Sequence, residues 1–267
     1  MLFVPANRSD LATKAPRSAP DLIVLDLEDA VPPQEKAAAR DGLSAGVAAA
    51  SGSGTPVAVR VNPVGTIWFD DDLRALPQEV VALIVPKLDT EDAAARARAP
   101  GVPVVAGIET VRGVATAQQW LTGDLAGCYF GAEDYVADLG GERTSGNDEV
   151  ATARALVGMA ARLAGVPALD MVTLDFGDDD RFLREAAEAR ALGYAGKLCI
   201  HPAQVALAHR AFTPTAEELD RARRLLAAYD EAVAAGRATL AFEGEMVDEV
   251  VAKRARATLA LAPPDQV

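Results

Sequence analysis

The chain is 267 residues long, with half of its residues apolar and 24% charged, a mixture that can bury a large core and excludes disorder over its bulk. Its 39 acidic side chains outnumber the 26 basic ones, for a formal charge of −13, which argues against a nucleic-acid-binding surface because such surfaces need clustered Lys and Arg. No apolar run reaches the ~18 residues of a membrane span and no secretory leader follows Met1, so a cytoplasmic protein with neither a membrane nor a nucleic-acid partner is expected.

Short apolar runs at Leu2–Ala6, Leu22–Asp29, Val57–Asn62, Val80–Lys87, Val102–Glu109, Cys128–Asp134, Met171–Phe176 and Gly196–His201 predict strands. Most read as parallel strands covered on both faces. Between them lie helical stretches at Arg8–Pro16, Pro33–Ala50, Asp70–Leu76, Glu91–Ala99, Val111–Leu121, Asp148–Ala164 and Asp180–Leu192, and Pro202–Arg210 follows the last strand. Eight such repeats predict an α/β fold closed into a (β/α)8 TIM barrel. An open doubly wound sheet is disfavoured because the first strand runs into Pro5-Ala6-Asn7-Arg8 rather than a glycine-rich nucleotide loop. The barrel is expected over residues 1–210, and a C-terminal helical extension over residues 211–267. Its first helix starts at Pro214-Thr215 and runs through Ala235, Ala241-Phe242-Glu243-Gly244 interrupts, and a further helix covers Val247–Ala260. A barrel does not need this tail, which is expected to pack across the barrel or against a neighbouring subunit. Cys128 and Cys199 sit in apolar runs without metal-type spacing, so neither a zinc site nor a disulfide framework is expected.

Active sites of such barrels lie at the C-terminal ends of the strands, and there the sequence places Asp26-Leu27-Glu28-Asp29, Arg60, Lys87, Glu109, Glu133-Asp134 and His201. Glu109 and Asp134 follow adjacent strands. Two carboxylates so placed can hold one Mg²⁺ and leave positions for water and substrate oxygens. The alternative pairs one of them with Arg60 or Arg112 and leaves the other solvated. Glu28 and Asp29 read as carboxylates that orient metal-bound water or basic residues, or as plain surface acids. Arg60, embedded in Val57-Ala58-Val59-Arg60-Val61, must meet a carboxylate. That partner is either a substrate acid or an internal one such as Glu28 or Asp29. Lys87 is the Schiff-base candidate for a metal-free enzyme, or an ion-pair partner. His201 reads more readily as a hydrogen-bonded structural group than as a base.

Taken together, Phe3-Val4-Pro5-Ala6-Asn7-Arg8, Leu25-Asp26-Leu27-Glu28-Asp29-Ala30-Val31, Val59-Arg60-Val61-Asn62 and Val85-Pro86-Lys87 resemble the HpcH/HpaI aldolase and citrate lyase β-subunit family. So do Gly107-Ile108-Glu109-Thr110, Phe130-Gly131-Ala132-Glu133-Asp134, Leu198-Cys199-Ile200-His201-Pro202-Ala203-Gln204 and Phe242-Glu243-Gly244-Glu245-Met246-Val247-Asp248, in family order over nearly the whole chain. The resemblance implies a barrel, usually trimeric, that binds Mg²⁺ and cleaves or forms a carbon–carbon bond beside an acyl thioester. It implies that Glu109 and Asp134 are the metal carboxylates, that Arg60 meets the 2-oxo acid, and that the Gly131 and Ala132 backbone receives the substrate carboxylate. Asp248 matches an aspartate that similar lyases bring from a neighbouring subunit. Ala6 stands where many relatives have Gly, which bears on loop shape rather than chemistry.

The implied function is a Mg²⁺-dependent lyase acting on a β-hydroxyacyl thioester of the malyl-CoA, citramalyl-CoA or citryl type. A citrate lyase β-subunit acting on citryl-acyl carrier protein within a larger complex is the alternative, and a non-catalytic binding or assembly subunit is a third reading of another class. In a protein this acidic, a carrier phosphate needs local positive charge, and Arg8 and Lys14 after the first strand are the candidates.

Overall fold

The computed structural model describes residues 1–262. Eight parallel strands follow one another round one sheet in chain order: β1 (Leu2–Pro5), β2 (Ile23–Asp26), β3 (Val57–Arg60), β4 (Ala82–Val85), β5 (Val104–Ile108), β6 (Gly127–Phe130), β7 (Ala168–Asp170) and β8 (Gly196–Lys197). Beyond β8 the chain pairs back onto β1. Leu2 bridges Cys199, with the Phe3 amide donating to the Cys199 carbonyl at 2.9 Å and the Cys199 amide to the Met1 carbonyl at 2.8 Å. The sheet therefore closes into the expected barrel. Val24, Ala58, Ala82, Ile84, Val105, Tyr129 and Leu198 fill its interior, large side chains from some strands meeting alanines from others. Gly107 is part of that fit, because a side chain there would run into the Tyr129 ring.

The helices are α1 (Ser9–Lys14), α2 (Lys36–Asp41), α3 (Leu43–Ala50), α4 (Phe69–Arg74), α5 (Glu91–Arg98), α6 (Val111–Trp120), α7 (Ala132–Leu139), α8 (Asp148–Ala164), α9 (Asp179–Ala191), α10 (Pro202–Phe212), α11 (Ala216–Ala234) and α12 (Glu249–Ala260). Thr90, Thr110 and Asp178 cap α5, α6 and α9, each side chain accepting an amide proton three residues on. None of the described helices is long and apolar enough to cross a membrane.

Three expected elements are corrected. The strand expected over Cys128–Asp134 stops at Phe130, and α7 begins at Ala132, so Asp134 lies in a helical first turn rather than at a strand end. The seventh strand is Ala168–Asp170 rather than Met171–Phe176, and Leu174 and Phe176 are exposed in the loop that follows. Asp170 resembles a polar exit from a strand, yet it is completely buried because Arg154 and Lys197 both meet its charge. The stretch expected as one helix over Pro33–Ala50 is a 3₁₀ turn followed by α2 and α3, which meet at Gly42.

Residues Met1–Ala208 and His209–Val267 form two compact units. In the second, α11 opens with a capping box between Thr215 and Glu218. Ala222, Leu225, Tyr229, Val247, Ala252 and Ala255 make its core. The segment expected as an interruption is an antiparallel hairpin of β9 (Leu240–Phe242) and β10 (Glu245–Val247). Its turn residues Glu243 and Gly244 have φ of 51° and 85°, the left-handed backbone that a two-residue hairpin turn requires. Arg221 and Arg224 meet the turn by ion pairs to Glu243 at 2.7 and 2.8 Å. Helix α12 starts after Asp248, not at Val247. The Asp248 carboxylate caps it, accepting from the Val251 amide at 3.0 Å.

A buried ionic network joins β7 and β8 to α8 and α9. Arg154 pairs with both Asp170 oxygens at 3.1 Å, and Lys197 reaches Asp170 at 3.1 Å and Glu185 at 3.3 Å. Burial alone would raise the Glu185 pKa. The Lys197 charge and hydrogen bonds from Thr173, Arg181 and Asn147 outweigh it and hold the carboxyl at about 2. The stabilisation from a carboxyl depressed in the fold is complete above its ordinary pKa of 4.5 and is lost as pH falls toward about 2. Wild-type stability is therefore expected to drop between about pH 5 and pH 2, by on the order of 3 kcal/mol from this group. Urea unfolding across that range should show a much flatter profile for Glu185→Gln, and a parallel profile would remove Glu185 as the origin.

Candidate active site

The C-terminal ends of β2 and β3 bring Asp26 opposite Arg60 in register. The guanidinium holds Asp26 with two bonds, Nε to Oδ1 at 2.7 Å and Nη2 to Oδ2 at 2.6 Å, and its third nitrogen lies 2.9 Å from Glu28 Oε2. The guanidinium also lies 4.9 Å from the centre of the Phe3 ring. Burial works against its charge, but Asp26 and Glu28 keep the Arg60 pKa above the ordinary arginine range. Of the alternatives left open for Arg60, the internal pair is present. Its main partner is Asp26, with Glu28 second and Asp29 uninvolved. Strand β2 stops at Asp26, and Glu28 is placed by the loop after it. Lys36 fixes that loop by donating to the carbonyls of Leu27 at 2.7 Å and Glu28 at 2.9 Å.

Lys87 is the hub of the other half. Its backbone is left-handed, with φ of 54°, a conformation rare for a side chain without special use. That turn points its amide at Glu109 Oε1, 3.0 Å away. Its ammonium lies 2.7 Å from Glu28 Oε1, 3.2 Å from Asp134 Oδ1 and 3.5 Å from Asp29 Oδ2. Burial opposes the charge on Lys87, but Glu28, Asp134 and Glu109 together raise its pKa. A lysine so held is an ion-pair partner and a poor amine nucleophile. Gly131 precedes α7 and lies against Glu109, where any side chain would collide with the carboxylate. The Gly131 amide is spent on the Ile108 carbonyl at 3.1 Å. What α7 offers an anion is therefore its first-turn amides, beginning at Ala132, rather than Gly131 itself.

Asp26, Glu28, Asp29, Glu109 and Asp134 thus surround the cations of Arg60 and Lys87, and acids are in excess. Glu109 suffers most. Burial first, and then the charges of Glu28 and Asp134, push its pKa up to about 8. Burial also raises that of Glu28. A divalent cation would relieve this crowding, and the donors present, carboxylate oxygens only, suit a hard ion. Glu109, just after β5, and Asp134, in the first turn of α7, could hold it. No group of three or more His, Cys, Asp or Glu among the described residues makes a site alone, so water or substrate oxygens would complete the shell. Beside Arg60 a cavity of about 220 Å³ opens, walled by Phe3, Val172, Leu198 and Ile200.

The other candidates make other contacts. Arg8 is bonded to Asp10 at 2.8 and 3.0 Å, and Lys14 lies 3.7 Å from the same carboxylate, all three exposed. The His201 ring stacks on Phe176 with centroids 4.7 Å apart, and its Nδ1 accepts from the Ala203 amide at 3.2 Å. Asp248 belongs to the second compact unit as the cap of α12. Sequence reasoning missed two supports, Asp26 as the Arg60 partner and Lys36 as the brace of the Glu28 loop. The first had one partial signal, an aspartate within the apolar run that precedes the Arg60 strand, but the register that pairs the two is not in the sequence. For Lys36, on a polar helical stretch, there was none.

The family model for HpcH/HpaI aldolase/citrate lyase matches residues 1–202. A citrate lyase subunit beta-like protein of Deinococcus radiodurans is 47% identical, over 97% of this chain and 95% of that one. A (3S)-malyl-CoA thioesterase of Cereibacter sphaeroides is 32% identical, over 98% and 93% of the two chains. Among solved structures, the protein CitE from Mycobacterium tuberculosis in complex with magnesium, acetoacetate and coenzyme A superposes with a TM-score of 0.83 at 35% identity, covering 98% of this chain and 96% of that one. With closed barrel, strand-end carboxylates and these likenesses together, the chain belongs to the HpcH/HpaI aldolase/citrate lyase family.

Proposed function

We propose that this protein is a Mg²⁺-dependent carbon–carbon lyase that cleaves, or in reverse forms, a β-hydroxyacyl thioester, giving a 2-oxo acid and a shorter acyl thioester. The observation that carries the reading is the gathering of Glu28, Glu109 and Asp134 round Lys87 at the barrel mouth, with Glu28 and Glu109 buried and more acids present than Lys87 and Arg60 can balance. Such an arrangement makes chemical sense around a cation. Glu109 and Asp134 would hold the ion, which when bound supplies a Lewis acid for the substrate hydroxyl and the oxo group it becomes. Arg60, fixed by Asp26, keeps positive charge beside the developing oxyanion. The first-turn amides of α7 from Ala132 onward orient the substrate carboxylate. Lys87 and Glu28 hold the two halves of the site in place, with Asp29 at the rim. As the carbon–carbon bond breaks, the hydroxyl proton passes to solvent water and the bonding pair to the thioester α-carbon. That carbon must then gain a proton, the role proposed for Asp248. The carrier is proposed to be coenzyme A, the molecule in the mycobacterial complex. Arg8 and Lys14 are proposed to meet its phosphates with the one positive charge that Asp10 leaves between them.

Glu109→Gln and Asp134→Asn should each abolish calorimetric Mg²⁺ binding and lower cleavage of a malyl-CoA-type thioester by about 100-fold or more, with the circular dichroism of the fold retained. Full activity in either variant would sink the metal assignment. The metal-free aldolase route makes the opposite forecast for Lys87. Borohydride added during turnover should leave no substrate covalently attached, as read by mass spectrometry, and EDTA should inhibit strongly. A trapped adduct on Lys87 would reverse that assignment.

The reading extends to assembly. Asp248 sits in a compact unit distinct from the one that carries Glu109, and the family resemblance supports delivery from a neighbouring subunit in a homo-oligomer, a trimer. Asp248→Ala should keep Mg²⁺ and 2-oxo acid binding while losing most cleavage. Mixed with inactive Glu109→Gln subunits it should regain part of the wild-type rate, because some sites then join an intact metal centre to an intact Asp248. Subunits that demonstrably exchange without recovery of activity would place Asp248 in its own chain's site or outside the chemistry.

A further inference from the structure

Helix α7 starts at Gly131 without a side-chain cap, and its buried face is small, Ala132 and Val136. The rotation of its first turn about the helix axis therefore depends on polar contacts. That rotation matters because Glu133 and Asp134 are consecutive, and consecutive side chains on a helix point about 100° apart. Asp134 is the one turned to Lys87, at 3.2 Å. Glu133 meets Arg143 instead, whose Nε donates to Glu133 Oε1 at 2.9 Å. The far end of the helix is held separately, where Asp138 accepts from the Val111 amide at 2.7 Å. Asp134 is the carboxylate offered to the ion, so its contact with Lys87 is one that the ion would share. The pair of Glu133 with Arg143 is the hold on this turn that the chemistry leaves alone.

Arg143 is built as an anchor. It is the one base between Ala132 and Asn147, a stretch whose acids are Glu133, Asp134, Asp138 and Glu142. Its side chain is only 17% exposed, and all three nitrogens are engaged. Besides Glu133, Nη1 meets Glu149 in the first turn of α8, and Nη2 donates to Asn147 Oδ1 at 3.2 Å. Asn147 is buried, has a left-handed φ of 59°, and donates in turn to Glu185 Oε1 at 3.2 Å. Contacts thus run without a break from the buried pair of Lys197 and Glu185 through Asn147 and Arg143 to the first turn of α7. Resting on the lyase reading above, we propose that Arg143 is a positioning residue for the metal site: it ties Glu133 to the buried network and so keeps Asp134 turned to the barrel mouth.

The test uses the full-length protein and reads calorimetric Mg²⁺ binding, with cleavage of a malyl-CoA-type thioester as the second measurement. Glu133→Ala cuts the link at α7 and leaves the Arg143 contacts to Glu149 and Asn147 in place, while Arg143→Met removes the guanidinium. Each should weaken Mg²⁺ binding and lower kcat by about tenfold, with the circular dichroism of the fold retained. The double variant should be no worse than Arg143→Met alone, because both changes break one link. Charge by itself makes the opposite forecast for Arg143→Met, since losing a base beside a cation site tightens binding. Arg143→Lys keeps the charge and loses the fork, and takes the place of the Met variant where that folds poorly, with a smaller weakening expected. Wild-type Mg²⁺ affinity in Glu133→Ala, tighter binding in Arg143→Met, or losses that multiply in the double variant would each overturn the inference and leave the lyase reading intact. A wild-type protein that neither binds Mg²⁺ nor cleaves the thioester overturns the lyase reading, and this inference with it.

Discussion

The mouth of this barrel is governed by the cost of crowding carboxylates where water is scarce. Glu28 and Glu109 are each only 2% exposed, and an unpaired charge at that depth is prohibitively unfavourable. The local structure follows from meeting that cost. Lys87 adopts a left-handed backbone that few non-glycine residues take, and in return its amide meets Glu109 while its ammonium lies between Glu28 and Asp134. Gly131 must lack a side chain because the Glu109 carboxylate occupies that space. Arg60 can sit at the end of an apolar strand because Asp26 stands opposite it in register.

The same barrel handles buried charge in two opposite ways, and the contrast separates support from chemistry. Between β7, β8, α8 and α9, Glu185 meets a lysine, an arginine, an amide and a hydroxyl, and its pKa lies near 2. Glu109, equally hidden, has one amide donor and two acidic neighbours, and its pKa climbs to about 8. A group held firmly in its charged form is finished as structure. A group held against its charged form is one that a nearby positive charge would stabilise.

Polarity is also divided across the mouth. Glu109 and the α7 amides stand after β5 and β6, while the cavity is lined from β1, the ends of β2 and β3, the loop after β7 and the residues after β8. Arg60, at the end of β3, is the point where the two regions meet.

What the sequence by itself determined was everything that local pattern encodes. Alternating short apolar runs and helical stretches predict eight repeats, and acids and bases at the ends of those runs mark where charge gathers, since Glu109, Asp134, Arg60, Lys87 and Glu28 do meet at one end of the barrel. Partnerships were decided only in three dimensions, because they depend on strand register and helix placement between residues far apart in the chain. Asp26 as the partner of Arg60 requires the β2–β3 register. Asp134 reaches the site from the first turn of α7 rather than from a strand, and Gly131 before it leaves its side-chain space to Glu109. Residues Met171–Phe176 look more like a strand than Ala168–Asp170 does, since a buried aspartate reads as a surface residue until Arg154 and Lys197 are seen beside it. Periodicity reports how one segment divides between core and water. It does not report which distant charge will neutralise another, and on that choice this site is built.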